Sequence, residues 1–524
     1  MTPDEAPRDW RQTLRTFLRP SVITMLFLGF SAGIPILLIF SSLSLWLREA
    51  GVERSAVTFF SWAALGYSFK FVWAPLVDQL PLPVLTRLMG RRRSWLLLAQ
   101  IFIVLAILGM ALTDPAGSET RLTLMALAAV LLGFSSATQD IVIDAYRIES
   151  DSADMQAILS STYIAGYRIG MIVAGAGALL LASLLGSSRE DYSYAAWMGT
   201  YMIMASTMAV GILTTLIMPE PAATSRREER YDNRDYARFL MLFALIAGSF
   251  VATFFLSAGP VRELKSLAGE LLGRGFGHLL VETGRLAVAV LVPVLVSLGI
   301  LRLGLVNRTM VRETWVEPVR DFFIRYSTRA ALILLALVAL YRISDIVLGV
   351  ISNVFYQDLG FTKNEIAGVV KTFGLLMTLV GGFLGGVLSV RFGVIRILFL
   401  GALLSAATNL LFMLLAGTGN HMGMLYLVIS ADNLSAGLAS AAFVAFLSSL
   451  TSISFTAVQY AIFSSLMTLL PKALGGYSGS MVDALGYPGF FALTAVMGLP
   501  VLWLVLVAGK KLDLREAGPE PPES

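Results

Sequence analysis

Asp140, Asp144 and Arg147 stand four and three residues apart in the apolar run Ser135-Ser136-Ala137-Thr138-Gln139-Asp140-Ile141-Val142-Ile143-Asp144-Ala145-Tyr146-Arg147. A helix puts residues so spaced on one face, with Gln139 beside them. The next run holds Arg168 in Gly166-Tyr167-Arg168-Ile169-Gly170, an earlier one holds Lys70 amid Tyr67, Phe69, Phe71 and Trp73, and a later stretch holds Arg342, Asp345 and Lys371. A charge at hydrocarbon depth costs about 2.5–3.5 kcal/mol on insertion scales, so each needs a partner or a task. A carboxyl drawn toward the neutral acid by apolar surroundings and toward the carboxylate by a cation can exchange a proton as access alternates between the two sides. Asp140 carries that expectation first, with Asp144 and Asp345 as further proton-coupling positions. Lys70 and Lys371 suit an anionic ligand, Arg147 is expected to reach to the interface from a helix end, and Arg342 with Asp345 reads equally well as a static pair.

The elements that position these residues must span a membrane. Of 524 residues 56% are hydrophobic and 14% charged, with mean hydropathy +0.76, against about 25% charged in a soluble domain. The apolar runs are about 20 to 27 residues long, enough to cross a hydrocarbon core as helices and too long and continuous for barrel strands. A net charge of +4 gives no footprint for nucleic acid. Zero cysteines and only two histidines, His278 and His421, exclude disulfides, thiolate chemistry and cysteine metal sites and argue against histidine clusters, so no metal and no cofactor is expected. The basic N-terminus and the long run after it are expected to form a retained first span rather than a cleaved signal.

Apolar runs fall at roughly 22–47, 56–77, 95–113, 122–147, 158–185 and 194–217, then at about 239–258 and 278–303, then at about 328–352, 364–389, 394–416, 422–448, 454–479 and 489–509. The expectation is an all-α polytopic protein of about fourteen spans. It comprises an N-terminal six-helix half (1–218), a linker with two extra helices and an amphipathic stretch (219–327), a C-terminal six-helix half (328–510) and a tail (511–524). Positive charge concentrates on alternate loops, which places both termini in the cytoplasm.

Asp78 followed by Gly90-Arg91-Arg92-Arg93 could form a latch between helix ends, with Asp78, Arg91 and Arg92 as gating residues. Glycines four apart, Gly29 with Gly33, Gly381 with Gly385, Gly382 with Gly386 and Gly475 with Gly479, mark close helix packing. Gly33-Ile34-Pro35 marks a kink, and Glu282 with Arg285 a local ion pair. The stretch ending Gly51-Val52 matches the one ending Gly360-Phe361, and Asp78 and Val387 follow those glycines at equal distance. A parallel repeat of two six-helix halves is the architecture of the major facilitator superfamily.

The runs 66–78, 90–97, 136–145 and 166–171, with Asp432-Asn433-Leu434-Ser435-Ala436-Gly437, 440–445 and 455–461, resemble the AmpG-type muropeptide permeases, in the same order over nearly the whole chain. The resemblance implies proton-driven import of anhydromuropeptides across the bacterial inner membrane, cell-wall recycling and a link to β-lactamase induction, in a monomer whose partners are substrate, protons and lipid. It carries the fourth-span motif onto Gln139 and Asp140, the second-span lysine onto Lys70 and the fifth-span pair onto Tyr167 and Arg168. A large, polar, anionic substrate suits a cavity lined by Tyr67, Lys70, Tyr167, Arg168, Lys371 and Gln459. The rival within the fold is a drug efflux antiporter. A membrane enzyme is disfavoured by the absence of cysteine and of an acidic metal-binding loop and by the near absence of histidine.

Overall fold

The computed structural model describes residues 16–52, 70–188, 191–221, 231–272, 274–362, 365–475 and 478–516, and among these the secondary structure is helix and turn without a strand. Helix α1 (Pro20–Leu37) begins on proline, whose missing N–H is not needed at the first turn. Pro35 interrupts its ladder, and a π-turn at Leu38–Ser42 follows at once, leading into Leu43–Glu49. Gly51, at φ +80°, ends this first span in the left-handed region that glycine adopts without strain. The N-terminal half continues with Ala74–Gln79, α2 (Arg91–Ala111), α3 (Glu119–Ser150), and α4 (Gln156–Ile172), which runs through a π-turn at Val173–Gly177 into Ala178–Leu184. Its last span is α5 (Tyr194–Thr207) and α6 (Ala209–Ile217), bent at Met208.

The central segment contains α7 (Asn233–Leu256), α8 (Ala258–Leu272) and α9 (Arg274–Arg302), with α7 and α8 each packed on α9. Three helices therefore stand where the sequence led us to expect two. Arg262, Glu263, Lys265 and Glu270 keep α8 out of any apolar run, although its residues are mostly good helix formers. Helix α10 (Glu317–Leu340) is two helices joined at Ser327, whose φ of 58° breaks the ladder, so the seventh core span starts beyond it. Then come α11 (Ile343–Asp358), a π-helical stretch at Ile366–Phe373 leading into α12 (Gly374–Phe392), α13 (Val394–Thr418), α14 (Met422–Leu450), α15 (Thr456–Gly475), α16 (Ser478–Met497) with a break at Gly486, and α17 (Leu499–Glu516).

Eleven helical stretches among the described residues are long and apolar enough to cross a membrane. The protein is a multi-pass helical membrane protein. Its chain divides into two compact units, one of residues 1–77, 82–226 and 322–524, the other of residues 78–81 and 227–321. Both six-helix halves belong to the first unit.

Within that unit the halves repeat. Ser150 and Leu450 end corresponding helices, three-residue 3-10 turns follow at Ala153–Met155 and Ile453–Phe455, and Gln156 and Thr456 open the next helices. Positive-φ glycines pair in the same way: Gly51 (+80°) with Gly360 (+85°), Gly90 (+84°) with Gly393 (+88°), and Gly186 (+96°) with Gly486 (+68°). The proposed match of Asp78 with Val387 does not survive. Val387 lies inside α12, whereas the N-terminal half inserts a short helix, Leu85–Met89, ahead of Gly90.

Glycine decides the closest helix contact. A Cβ on Gly29 or Gly33 of α1 would stand 2.2 or 2.0 Å from the carbonyl oxygens of Tyr163 and Tyr167, and one on Gly166 or Gly170 of α4 would stand 2.0 or 2.2 Å from those of Leu26 and Phe30. The two helices thus present reciprocal glycine pairs that let their backbones touch. Gly381 and Gly385 of α12 do the same against Leu434 and Leu438 of α14, whereas Gly386 faces Ser161 and Ala157 of the other half and Gly479 meets open space. Each half has its own apolar core. That of the N-terminal half is built around Trp46, Trp197 and Tyr201, with the two indoles stacked at 5.6 Å, and that of the C-terminal half around Phe355, Phe412, Phe443 and Phe491.

Candidate functional site

Lys70, 8% exposed, places Nζ 3.5 Å from Asp144 Oδ2. Asp144 also receives Arg147 Nη2 at 3.4 Å, one turn along α3. Asp140 lies a turn further in, and the hydroxyl of Tyr163 on α4 reaches its Oδ1 at 3.5 Å. The face expected from the spacing therefore exists, and Lys70 is engaged with Asp144. Tyr163 and Tyr167 follow each other along α4 with ring centroids 6.0 Å apart.

Arg168 has no carboxylate within ion-pair distance among the described residues; its Nη1 lies 3.9 Å from the thioether of Met171. Arg342 Nε stands 3.9 Å from Asp345 Oδ2. Each half thus contributes one partly buried guanidinium, Arg342 paired with Asp345 and Arg168 with no carboxylate partner among the described residues. This is an arrangement that attracts an anion.

Arg147 does not snorkel. It is fully buried, and its Nη1 donates to Gln156 Oε1 at 3.1 Å, Ser160 Oγ at 3.1 Å and Ser448 Oγ of the other half at 2.7 Å, while its guanidinium lies over the ring of Tyr460 at 5.1 Å. Buried hydroxyls and an amide oxygen substitute for the water that the sequence led us to expect. Beside it, Arg92 binds Glu149 through two hydrogen bonds, at 2.9 and 2.6 Å, and reaches Thr456 Oγ1 of the other half at 2.6 Å; Thr456 also donates to Glu149. Sequence reasoning had named Asp78 as the acid of a latch with Arg91 or Arg92 and had passed over Glu149, which looks like an ordinary helix-end carboxylate. Asp78 is itself buried, at 1% exposure.

These contacts between halves gather at one end of the bundle. Ser21, at the start of α1, donates to Asp151 at 2.8 Å, beside Glu149, and Arg325, which precedes the seventh span, donates to the Leu450 carbonyl at 3.1 Å. The end that carries the start of the first span and the start of the seventh is thus the end at which the halves are tied together. There, too, Glu220 accepts the backbone N–H of Arg92 and Arg93 at 2.8 and 3.1 Å, capping α2; burial pushes its carboxyl up from the ordinary range, and the two donors draw it back.

Two expected ligands are placed elsewhere. Gln139 is fully buried inside the N-terminal half, where its Oε1 accepts from Ser31 at 3.1 Å. Gln459 accepts from Arg325 at 2.9 Å and from the backbone N–H of Ser452 at 2.7 Å, as part of the closed end. Tyr67, the Lys371 side chain and the Glu282 side chain lie outside the described residues. Asp432, on α14 inside the C-terminal half, was missed as a charge. Its signal was available, a lone aspartate in an apolar run.

Residues 22–221 match the family model described as acetyl-coenzyme A transporter 1. The chain is 30% identical over 487 residues to the putative transporter AmpG 4 of Rickettsia conorii, covering 93% of this chain and 96% of that protein. The chain belongs to the AmpG family of transporters. It is also 29% identical over 503 residues to the anhydromuropeptide permease of Escherichia coli strain K12, covering 96% of this chain and 82% of that one. Among solved structures, the major-facilitator proton:xylose symporter XylE covers 94% of this chain and 96% of its own with a TM-score of 0.57 at 12% identity, a likeness of fold. This AmpG-family member is accordingly a transporter of the major facilitator fold and not an enzyme.

Proposed function

We propose that this AmpG-family transporter imports anhydromuropeptides, the anionic sugar-peptide products of peptidoglycan breakdown, across the bacterial inner membrane in symport with protons. The observation that carries the reading is Arg168, a partly buried guanidinium with no carboxylate within ion-pair distance among the described residues, because an unpaired cation in an apolar bundle favours a guest anion. The peptide carboxylates of a muropeptide supply that charge. Tyr163 and Tyr167 offer ring faces to sugars. The name of the Escherichia coli relative supports the same substrate class.

In this reading the chain is a monomer that crosses the membrane about fourteen times, with six plus two plus six spans and both termini in the cytoplasm. The ties through Arg92, Glu149, Arg147, Ser448 and Thr456 then close the cytoplasmic end, and the protein is poised to receive substrate from outside. Binding draws Arg168 and Arg342 together around the anion, Asp140 takes up a proton beside Tyr163, and rocking of the halves breaks the cytoplasmic ties. Imported muropeptide feeds cell-wall recycling and the signal for β-lactamase induction.

Proteoliposomes with an imposed inward proton gradient test this. Uptake of labelled anhydromuropeptide that an uncoupler abolishes, with Arg168→Ala and Arg342→Ala each raising KM at least roughly tenfold for loss of a charge-assisted contact, is the expected result. Expulsion of apolar drugs without muropeptide uptake would instead make the protein an efflux antiporter.

A further inference from the structure

A chain of charges runs from Lys70 and Asp144, whose side chains are 10% and 13% exposed, to Arg147, whose side chain is sealed from solvent. Lys70 Nζ lies 3.5 Å from Asp144 Oδ2, and Arg147 Nη2 lies 3.4 Å from Asp144 Oδ1. Both distances exceed the about 2.7–2.9 Å of a well-made charge-assisted bond. Arg92, by contrast, grips Glu149 with Nε and Nη2 at 2.9 and 2.6 Å. The same edge of Arg147 is only half used, because its Nε is buried and has no hydrogen-bond partner among the described residues. One carboxylate is divided between two cations and satisfies neither.

The opposite corner of Arg147 has the reverse imbalance. Nη1 carries two hydrogens, yet three acceptors lie within reach: Gln156 Oε1 and Ser160 Oγ, each at 3.1 Å, and Ser448 Oγ at 2.7 Å. The first two belong to the same half as Arg147 and the third to the other half. If the halves part, Gln156 and Ser160 keep both hydrogens occupied, so the bond to Ser448 is the one that can be given up without leaving a buried donor idle.

We propose that Asp144 is a switch through which an anion at Lys70 releases the tie at Ser448. Resting on the proposed function, the anion is a carboxylate of the substrate. It draws Lys70 away from Asp144, Asp144 closes on Nε and Nη2 of Arg147 as Glu149 does on Arg92, and the shift of the guanidinium takes Nη1 off Ser448. Without a guest, Lys70 holds Asp144 back and the tie stands. The ligand therefore favours the opened end through contacts that differ between the two states.

The test uses the purified full chain in detergent, with a cysteine introduced at Ser161, which faces Gly386 of the other half, and a bulky thiol reagent. Without ligand, Lys70→Met should raise the modification rate several-fold, because Asp144 is then free to close on Arg147, and Ser448→Ala should raise it as well. The double variant should be no faster than the faster single variant, whereas two residues that merely stabilise the fold independently would multiply their effects. Anhydromuropeptide should bring the unsubstituted background to the Lys70→Met rate and leave Lys70→Met unchanged. If anhydromuropeptide does nothing while the three ligand-free rates are as expected, the substrate reading fails and the switch is supported. A Lys70→Met rate equal to background, or multiplied rates in the double variant, would overturn the switch. Ser448→Ala, the gentler change, decides the matter should Lys70→Met not fold: an unaltered ligand-free rate would overturn the switch too.

Discussion

Arg92 and Glu149 form a buried pair with two hydrogen bonds, at 2.9 and 2.6 Å, and Arg92 extends the same Nη2 to Thr456 of the other half. Their side chains are 0% and 2% exposed. Removing one partner of such a pair leaves an uncompensated buried charge and costs about 3–5 kcal/mol. Thr456 of the other half bonds to both partners, so losing the pair also weakens this tie between the halves. Glu149→Gln should therefore raise the rate at which a bulky thiol reagent, applied from the side bearing the start of α1, modifies a cysteine introduced at Ser161, which is 4% exposed and faces Gly386 in an otherwise cysteine-free chain. Equal rates with and without Glu149→Gln would remove the pair from the gate.

Gly33→Ala should damage the N-terminal half itself. Its Cβ would stand 2.0 Å from the Tyr167 carbonyl oxygen, and no rotamer relieves a clash with backbone. Overpacking of this kind costs about 1–3 kcal/mol or more, so we expect a lower Tm in detergent. Gly479→Ala, which meets nothing within 4 Å, is the control and should leave Tm within error. Equal melting of both variants would mean that α1 and α4 separate at little cost.

Asp140→Asn imitates the protonated acid permanently. The variant is expected to fold and to bind muropeptide, since Arg168 and Arg342 remain, but to carry substrate only down its gradient. Asp144→Asn should behave differently, because Asp144 is held by both Lys70 and Arg147 and its loss leaves two cations facing each other. That variant should lose stability before it loses coupling. Uphill, uncoupler-sensitive uptake at the normal rate by Asp140→Asn would move the coupling role to another carboxyl, Asp345 first.

Deleting residues 231–321 and joining the halves by a flexible Gly/Ser linker should leave muropeptide binding within about twofold of the full chain. These residues belong to a separate compact unit, and Lys70, Asp140, Arg168 and Arg342 all lie in the other. Binding measured by calorimetry on the folded deletion variant decides the matter; a loss of affinity of roughly tenfold or more would place part of the central unit in the substrate path.

The sequence by itself determined that the chain crosses a membrane many times, that α3 carries Asp140, Asp144 and Arg147 on one face, and that glycine pairs mark close packing. These follow from helical geometry and from the cost of charge in hydrocarbon, which act within one segment. It could not determine which charge meets which. Arg147 was expected in the interfacial water because it stands near a helix end, yet Gln156, Ser160 and Ser448 receive it in the interior. Gln139 shared a helix with the carboxylates but turns to Ser31, and Gln459 turns to Arg325, because neighbouring helices rather than local sequence fill those directions. Asp78 was named as an acid of the closure because it is near Arg92 in the chain; Glu149 meets Arg92 as well, from 57 residues away. Ion pairing acts through space, and the folding of α2 beside α3, with Thr456 brought over from the other half, decided a network that sequence distance could not reveal.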